Sequence, residues 1–138
     1  MTIEENKAIV RRYLLEFHSQ RAWSIVDEIF NPDGRDGPLF AARMMATAFP
    51  DFRITIVTQV AEEDRVATVW KLEGTHQGDW PSPVGVIPAT GNPVMFTATT
   101  TTLLRDGKII DALGSNWDHL GILQQLGALP STAPRAGA

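Results

Sequence analysis

The sequence predicts an α+β fold in which about three helices precede a curved antiparallel sheet. Within residues 2–48 the apolar positions recur at helical intervals, as Ile9, Tyr13 and Phe17 do. After Pro50 the apolar period changes from 3.6 to two, which is typical of strands with one buried face. Because the helices and the strands are segregated along the chain rather than alternating, the pattern favours α+β over a parallel α/β fold.

Each predicted helix has an identifiable beginning or end. The first spans Thr2 to Gln20 and starts with acidic residues, which favour the positive end of the helix dipole. The second spans about Ala22 to Phe30 and stops at the breaker cluster Asn31-Pro32-Asp33-Gly34. The third spans about Pro38 to Ala48.

The strands follow in antiparallel order. Arg105-Asp106-Gly107-Lys108 is a hairpin turn of the Asp-Gly kind. Trp80 to Pro93 contains four prolines and two glycines, and therefore predicts a long loop. The predicted strands are Phe52 to Val60, Val66 to His76, Val94 to Leu104 and Ile109 to Trp117, with a short helix from Leu120 to Leu126. We expect one domain over residues 1–130 and a flexible tail over residues 131–138.

Composition narrows the classes of function. The chain has 138 residues, of which 43% are hydrophobic, enough to bury a core in a single domain. Its net charge of -4 argues against a nucleic-acid partner, which needs a basic surface, and against a basic membrane-binding face. There is no cysteine, which removes disulfides, thiolate metal ligands and a cysteine nucleophile. The amino terminus lacks the apolar core of a secretory signal and no stretch reaches the length of a membrane span, so we expect a cytoplasmic protein.

Several stretches carry a resemblance to a known family. They are Phe49-Pro50-Asp51-Phe52, Gly74-Thr75-His76-Gln77-Gly78, Pro88 to Val94, Asp106-Gly107-Lys108-Ile109 and the closing run from Asn116 to Gly127. Together they resemble the SnoaL-like polyketide cyclases of the nuclear-transport-factor-2-like superfamily. The resemblance implies a cone in which the curved sheet wraps over the helices and leaves an apolar hollow for a small molecule.

The resemblance also implies that the acid/base residues of the family's cyclases are missing from this chain. Cyclases of this family use an aspartate on the last strand, assisted by a glutamine and a histidine on the preceding strand. By position, the assisting pair falls on Ala98 and Thr100, and the aspartate falls on Gly114 or, after a one-residue insertion, on Ser115. None of these can act unaided as a base near neutral pH. The chain therefore looks more like the anthracycline C-1 hydroxylases, which bind no metal or tight cofactor and use oxygen with a separate NAD(P)H-dependent reductase.

The candidate catalytic residues are Asn116, Asp118 and His76. If Gly114 faces the hollow, Asn116 and Asp118 share its face, and Asn116 could hold a quinone oxygen or make a structural hydrogen bond. Asp118 could act as an acid/base or cap the last helix. His76 could be a general base at the pocket mouth or bond at the end of its strand. No paired-histidine motif is present, so we expect no metal site.

The candidate substrate-binding residues are the apolar and small side chains expected around the hollow. We expect an aromatic polyketide to contact Trp70, Phe40, Met44, Phe96, Ala98 and Thr100. The leading hypothesis is a polyketide hydroxylase. The alternatives are a SnoaL-type cyclase or isomerase that uses Asp118 or His76, and a non-enzymatic binding module. We expect a homodimer or homotetramer formed through the outer face of the sheet, where Lys71, Glu73, Thr99 and Thr101 lie.

Overall fold

The structure, a computed structural model, describes residues 1–129 and confirms the α+β cone. The predicted tail lies outside the described residues. The helices are α1 (Ile3–Arg11), α2 (Val26–Ile29), α3 (Asp36–Ala48) and α4 (His119–Gln125), and the strands are β1 (Arg53–Glu62), β2 (Arg65–Thr75), β3 (Trp80–Ser82), β4 (Gly85–Ile87), β5 (Pro93–Arg105) and β6 (Lys108–Trp117). No helix within residues 1–129 is long and apolar enough to span a membrane.

The first helix begins where the sequence predicts but changes its winding. Thr2 and Glu5 form a reciprocal capping box, in which each side chain accepts a hydrogen bond from the other residue's backbone N–H. After α1 the chain continues as a π-helix, Arg12–Ser19, rather than as the uninterrupted α-helix expected. The wider π-turn places Phe17 and His18, which are neighbours in sequence, both in the interior, with 0% and 4% of their surface exposed.

The other local differences from the predicted elements are small. The second predicted helix is a short 3-10 turn, Trp23–Ile25, followed by the single turn of α2. The predicted loop between Trp80 and Pro93 contains a small hairpin, β3–β4. Pro81 is tolerated within β3 because each strand of this two-stranded hairpin has one unpaired side.

The main sheet has the order β1-β2-β5-β6, and every pair is antiparallel. Its concave face packs on the helices through alternate residues of β5, which are buried from Val94 to Leu104. The amino-terminal part of β5 extends past the end of β6, and there Gln125 of α4 takes the place of a strand. Its Oε1 accepts from the backbone N–H of Met95 at 2.7 Å, and its Nε2 donates to the Met95 carbonyl at 2.9 Å. This bond pair fixes α4 across the open end of the cone.

Strand β6 carries the irregularity that matters most for function. Ser115 lies opposite Thr100 and Gly114 opposite Thr101, but Thr102 lies opposite Ala112, so that Leu113 is an extra residue in the ladder. A β-bulge of this kind shifts the side-chain alternation by one residue. Both Ala112 and Ser115 therefore face the concave side although they are three residues apart.

Candidate functional site

A partly enclosed cavity lies between the concave face of the sheet and the helices. Its volume is about 290 Å³, and a second chamber of about 230 Å³ adjoins it, sharing Tyr13, Pro38 and Ala112 in its wall. The residues lining the inner chamber are Tyr13, Leu14, His18, Gly37, Pro38, Ala41, Met45, Trp70, Thr100, Ala112, Ser115 and Trp117. This set is mostly aromatic, aliphatic or small and contains no carboxylate, lysine or arginine, which is typical of a pocket for an apolar small molecule.

A larger depression of about 510 Å³ lies on the opposite side of the sheet, but it differs in character. It is shallow, and its wall includes Asp51, Arg53 and Glu73. Lys71 forms an ion pair with Glu73 near this depression, with 3.0 Å between the charged atoms. Because the inner cavity is deeper and apolar whereas this surface is shallow and charged, we place the candidate site in the inner cavity.

Four polar side chains form a hydrogen-bonded chain along one wall of the inner cavity. The Trp70 indole N–H donates to Thr100 Oγ1 at 3.0 Å, and the Trp117 indole N–H donates to Ser115 Oγ at 3.2 Å. The two hydroxyl oxygens are 3.2 Å apart, within hydrogen-bond distance. Because the indoles are held edge to face, with ring centroids 5.7 Å apart, the positions of the hydroxyls are fixed by aromatic packing.

The opposite wall carries two titratable groups, Tyr13 and His18, whose rings lie 4.8 Å apart. Burial lowers the pKa of His18 to about 4 and raises the pKa of Tyr13 to about 12. Both side chains are therefore uncharged at neutral pH. His18 Nδ1 is buried and has no hydrogen-bond partner among residues 1–129. A polar atom left in this state beside a cavity is a ready partner for a bound molecule.

Of the six predicted substrate-binding residues, Trp70 and Thr100 line the cavity. Phe96 and Ala98 are buried on the same face of β5, and Phe96 packs behind the wall with its ring centroid 5.0 Å from that of Trp117. The predicted positions of Phe40 and Met44 are wrong. The inner face of α3 presents Met45 instead of Met44, and Phe40 is 66% exposed, because the helix is rotated by one residue from the face expected.

The predicted placement of Asn116 on the cavity wall is also wrong. Asn116 pairs with Thr99, whose neighbours on β5 face inward, so Asn116 is on the outer face of the sheet and is exposed. The inward position belongs to Ser115, the other position considered for the aspartate, because the bulge at Leu113 shifts the alternation of β6 by one residue. The parity that appeared to link Asn116 with the cavity is valid only for an unbroken ladder.

Asp118 is the amino-terminal cap of α4. Its Oδ1 accepts from the Gly121 backbone N–H at 3.0 Å, which is the structural one of its two predicted roles. Its carboxylate leaves no room for a side chain at Gly121, since an added Cβ there would overlap it. Asp118 is exposed and does not line the inner cavity, so its geometry does not support the predicted acid/base role.

His76 is fully buried and is held at the end of its strand, away from the cavity. Its Nδ1 lies 3.2 Å from the Thr90 backbone N–H and 2.9 Å from the Thr90 hydroxyl. Since the backbone N–H can only donate, Nδ1 is the acceptor of this bond. The bonds tie the long loop after β2 to the strand end, so the geometry again supports the structural interpretation of this residue.

The two titratable residues of the cavity wall, Tyr13 and His18, were not among the predicted site residues. A signal for His18 was present, because it follows Val10 and Leu14 at intervals of four along the buried stripe. Ser115 entered only as an alternative position for the missing aspartate. Within residues 1–129 no three His, Cys, Asp or Glu side chains come together in a way that could hold a metal ion.

The fold is a small α+β cone with an aromatic cavity between its sheet and its helices. A family model, SnoaL-like polyketide cyclase, matches residues 8–126, and the chain therefore belongs to that family. No curated protein matches it at a significant level.

Several solved structures have the same fold. AclR of Streptomyces galilaeus, a candidate hydroxylase, superimposes with a TM-score of 0.78 at 24% identity, over 97% of this chain and 87% of its own. TsrD of Streptomyces laurentii gives 0.82 at 22% identity, over 94% and 99%. IdmH of Streptomyces antibioticus, a candidate polyketide cyclase, gives 0.72 at 25% identity, over 88% and 98%.

Proposed function

We propose that the protein is a tailoring enzyme for aromatic polyketides, and that it hydroxylates a polyketide held as its reduced quinone without a metal or a tightly bound cofactor. The observation that carries the proposal is the chemistry of the inner cavity. Its wall offers aromatic surface, the Thr100 and Ser115 hydroxyls and an uncharged imidazole, but no carboxylate. Such a wall can hold and orient a planar substrate, while it is poorly equipped to remove a proton from carbon.

The proposed reaction balances with two external electrons. An NAD(P)H-dependent reductase reduces the quinone to the dihydroquinone, supplying two electrons and two protons. The dihydroquinone then reacts with O₂: one oxygen atom replaces the hydrogen of a ring C–H as a hydroxyl, the other leaves as water, and the quinone is restored. In this scheme the substrate activates oxygen, and the protein contributes orientation and exclusion of bulk water.

The direct test uses a hydroxyanthraquinone, NADPH and an added quinone reductase. We expect one ¹⁸O atom per product from ¹⁸O₂, none from H₂¹⁸O, and no product under argon. Ser115→Ala should lower turnover at least about tenfold by removing a hydroxyl from the wall. Asn116→Ala is the matched control, because Asn116 lies beside Ser115 but on the other face of the sheet. Full activity without oxygen, or loss of activity only in the control, would refute the proposal.

A cyclase is the second candidate, favoured by the family match and by IdmH. Neither Asp118 nor His76 is placed to serve it, so the base would have to be His18 or Asp111, an exposed residue at the rim of the adjoining chamber. The pKa of His18, about 4, makes its imidazole a weak base. Oxygen-independent turnover of a polyketide intermediate, abolished in His18→Phe or Asp111→Asn, would establish this candidate.

A non-enzymatic binding module is the third candidate. It would be favoured by a cavity filled with side chains, and the unfilled cavity removes that support.

A separate proposal concerns assembly and does not depend on catalysis: we propose that the chain forms homodimers through the outer face of the sheet. Threonines of β5 and the exposed Val57 and Met95 lie on this uncovered face. Thr99→Arg should convert the dimer to a monomer in sedimentation, and a wild-type monomer would refute the dimer.

A further inference from the structure

The indole–hydroxyl chain has a fixed hydrogen-bond polarity, set by how deeply Thr100 is buried. A hydroxyl group has one hydrogen to donate and two lone pairs to accept with. Only 3% of the Thr100 surface is exposed, and its partners among residues 1–129 are the Trp70 indole and the Ser115 hydroxyl. The indole can only donate, so the Thr100 hydrogen has one acceptor available, Ser115 Oγ. A buried hydroxyl hydrogen without an acceptor is costly, whereas an unfilled lone pair costs little.

This polarity limits the hydrogen bonds that Ser115 can make with a ligand. Its oxygen accepts from Thr100 and from the Trp117 indole, which fills both lone pairs. Only its own hydrogen remains, and Ser115 lines the cavity and is exposed to it. Ser115 therefore acts as a donor toward any ligand, even though serine ordinarily donates and accepts.

We propose that Ser115 is a specificity-determining residue that selects a ligand oxygen able only to accept, such as a quinone carbonyl or an ionised quinol oxygen, over a neutral hydroxyl. A neutral hydroxyl could accept from Ser115, but it could not donate its own hydrogen back to Ser115, whose two lone pairs are already filled. The application to a quinone substrate rests on the proposed function: there, this polarity favours the ionised dihydroquinone and the quinone that is formed from it. Both are acceptors at every stage of the oxidation.

The test is a binding experiment without turnover, using 9-fluorenone and 9-fluorenol. These probes share a planar three-ring frame and differ in a single carbonyl or hydroxyl oxygen. We expect equilibrium dialysis to show about tenfold tighter binding of fluorenone to the wild-type protein, the usual effect of one unsatisfied hydrogen bond. Ser115→Ala should bring the ratio near one by weakening fluorenone.

Two further variants test the polarity rather than the presence of the serine. Thr100→Val and Trp117→Phe each free one lone pair on Ser115 while leaving its hydrogen in place. Each should bring the ratio near one by strengthening fluorenol relative to fluorenone. A merely structural role would weaken both probes together. Thr99→Val, the neighbouring threonine on the outer face, should keep the wild-type ratio.

Equal binding of both probes by the wild-type protein, or an unchanged ratio in both polarity variants, would overturn the inference. Neither outcome touches the oxygen requirement, so the hydroxylase proposal would stand. Conversely, oxygen-independent turnover with the expected ratios would overturn the hydroxylase and leave the selectivity of Ser115 intact. Failure of both probes to bind would remove the cavity as a ligand site and overturn both.

Discussion

Replacing His18 by phenylalanine should remove a specific part of the pH dependence of folding stability. In the folded protein, burial holds the pKa of His18 at about 4, while its ordinary value is 6.5. The unfolded chain therefore binds a proton below about pH 6.5 that the folded chain refuses until about pH 4. Stability from this residue is fully present above pH 6.5 and is lost as the pH falls toward 4.

The size of the effect follows from the two pKa values. Linkage gives a loss of about 2 kcal/mol between pH 7 and pH 5, and about 3 kcal/mol once both states are protonated. The pKa of His18 is low because its ring is buried among Tyr13 and Phe17. In the described part of the chain, its Nδ1 also has no hydrogen-bond partner. Phenylalanine keeps an aromatic ring in this cluster and cannot take up a proton.

Urea unfolding followed by tryptophan fluorescence at half-unit intervals from pH 5 to 8 measures the effect. We expect the free-energy difference between wild type and His18→Phe to change by about 2 kcal/mol across this range, with the wild type losing more on acidification. His119→Phe is the matched control, because His119 is exposed and its substitution removes a histidine without opening the interior. A parallel pair of curves for wild type and His18→Phe would refute the idea that His18 is buried and neutral.

Three other substitutions test the placement of particular residues. Asp118→Ala should cost about 1 kcal/mol in urea unfolding through loss of the α4 cap, with turnover retained; loss of turnover at full stability would restore its catalytic role. Gly78→Ala should cost at least about 2 kcal/mol, because a Cβ there would overlap the Thr47 carbonyl, whereas Gly37→Ala, with open space around it, should be neutral. Ala112→Leu should fill the space between the two chambers and weaken fluorenone binding at least about tenfold without lowering the melting temperature; unchanged binding would place the ligand elsewhere.

Local patterns were sufficient for the fold, since each element depends on neighbouring residues. The change of period after Pro50, the Asp106-Gly107 turn and the acids at the first helix are all written over a few consecutive positions. The resemblance to the family was also carried by contiguous stretches, and the family match confirms it. Patterns of this length involve only residues close together in the sequence, so they can be recognised without knowledge of the tertiary contacts.

The candidate site was predicted only where it depends on an unbroken alternation. Trp70 and Thr100 were found because β2 and β5 pair without a register shift between them. Phe40 and Met44 were misplaced because the helical face of α3 depends on its rotation against the sheet, which its own sequence leaves open. Asn116 was misplaced because the bulge in β6 interrupts the alternation of its side chains.

By itself, the sequence determined the order of helices and strands, the family, the net charge of -4 and the absence of cysteine. The tertiary structure decided which side chains meet in the cavity. A single extra residue at Leu113 turns Ser115 inward and Asn116 outward, and the π-turn before Ser19 carries His18 to the opposite wall. The register of β6 depends on pairing along the whole strand, so no local pattern encodes it. For His18 the interval of four indicates a buried position, but the wall that it joins depends on how the helix packs against the sheet.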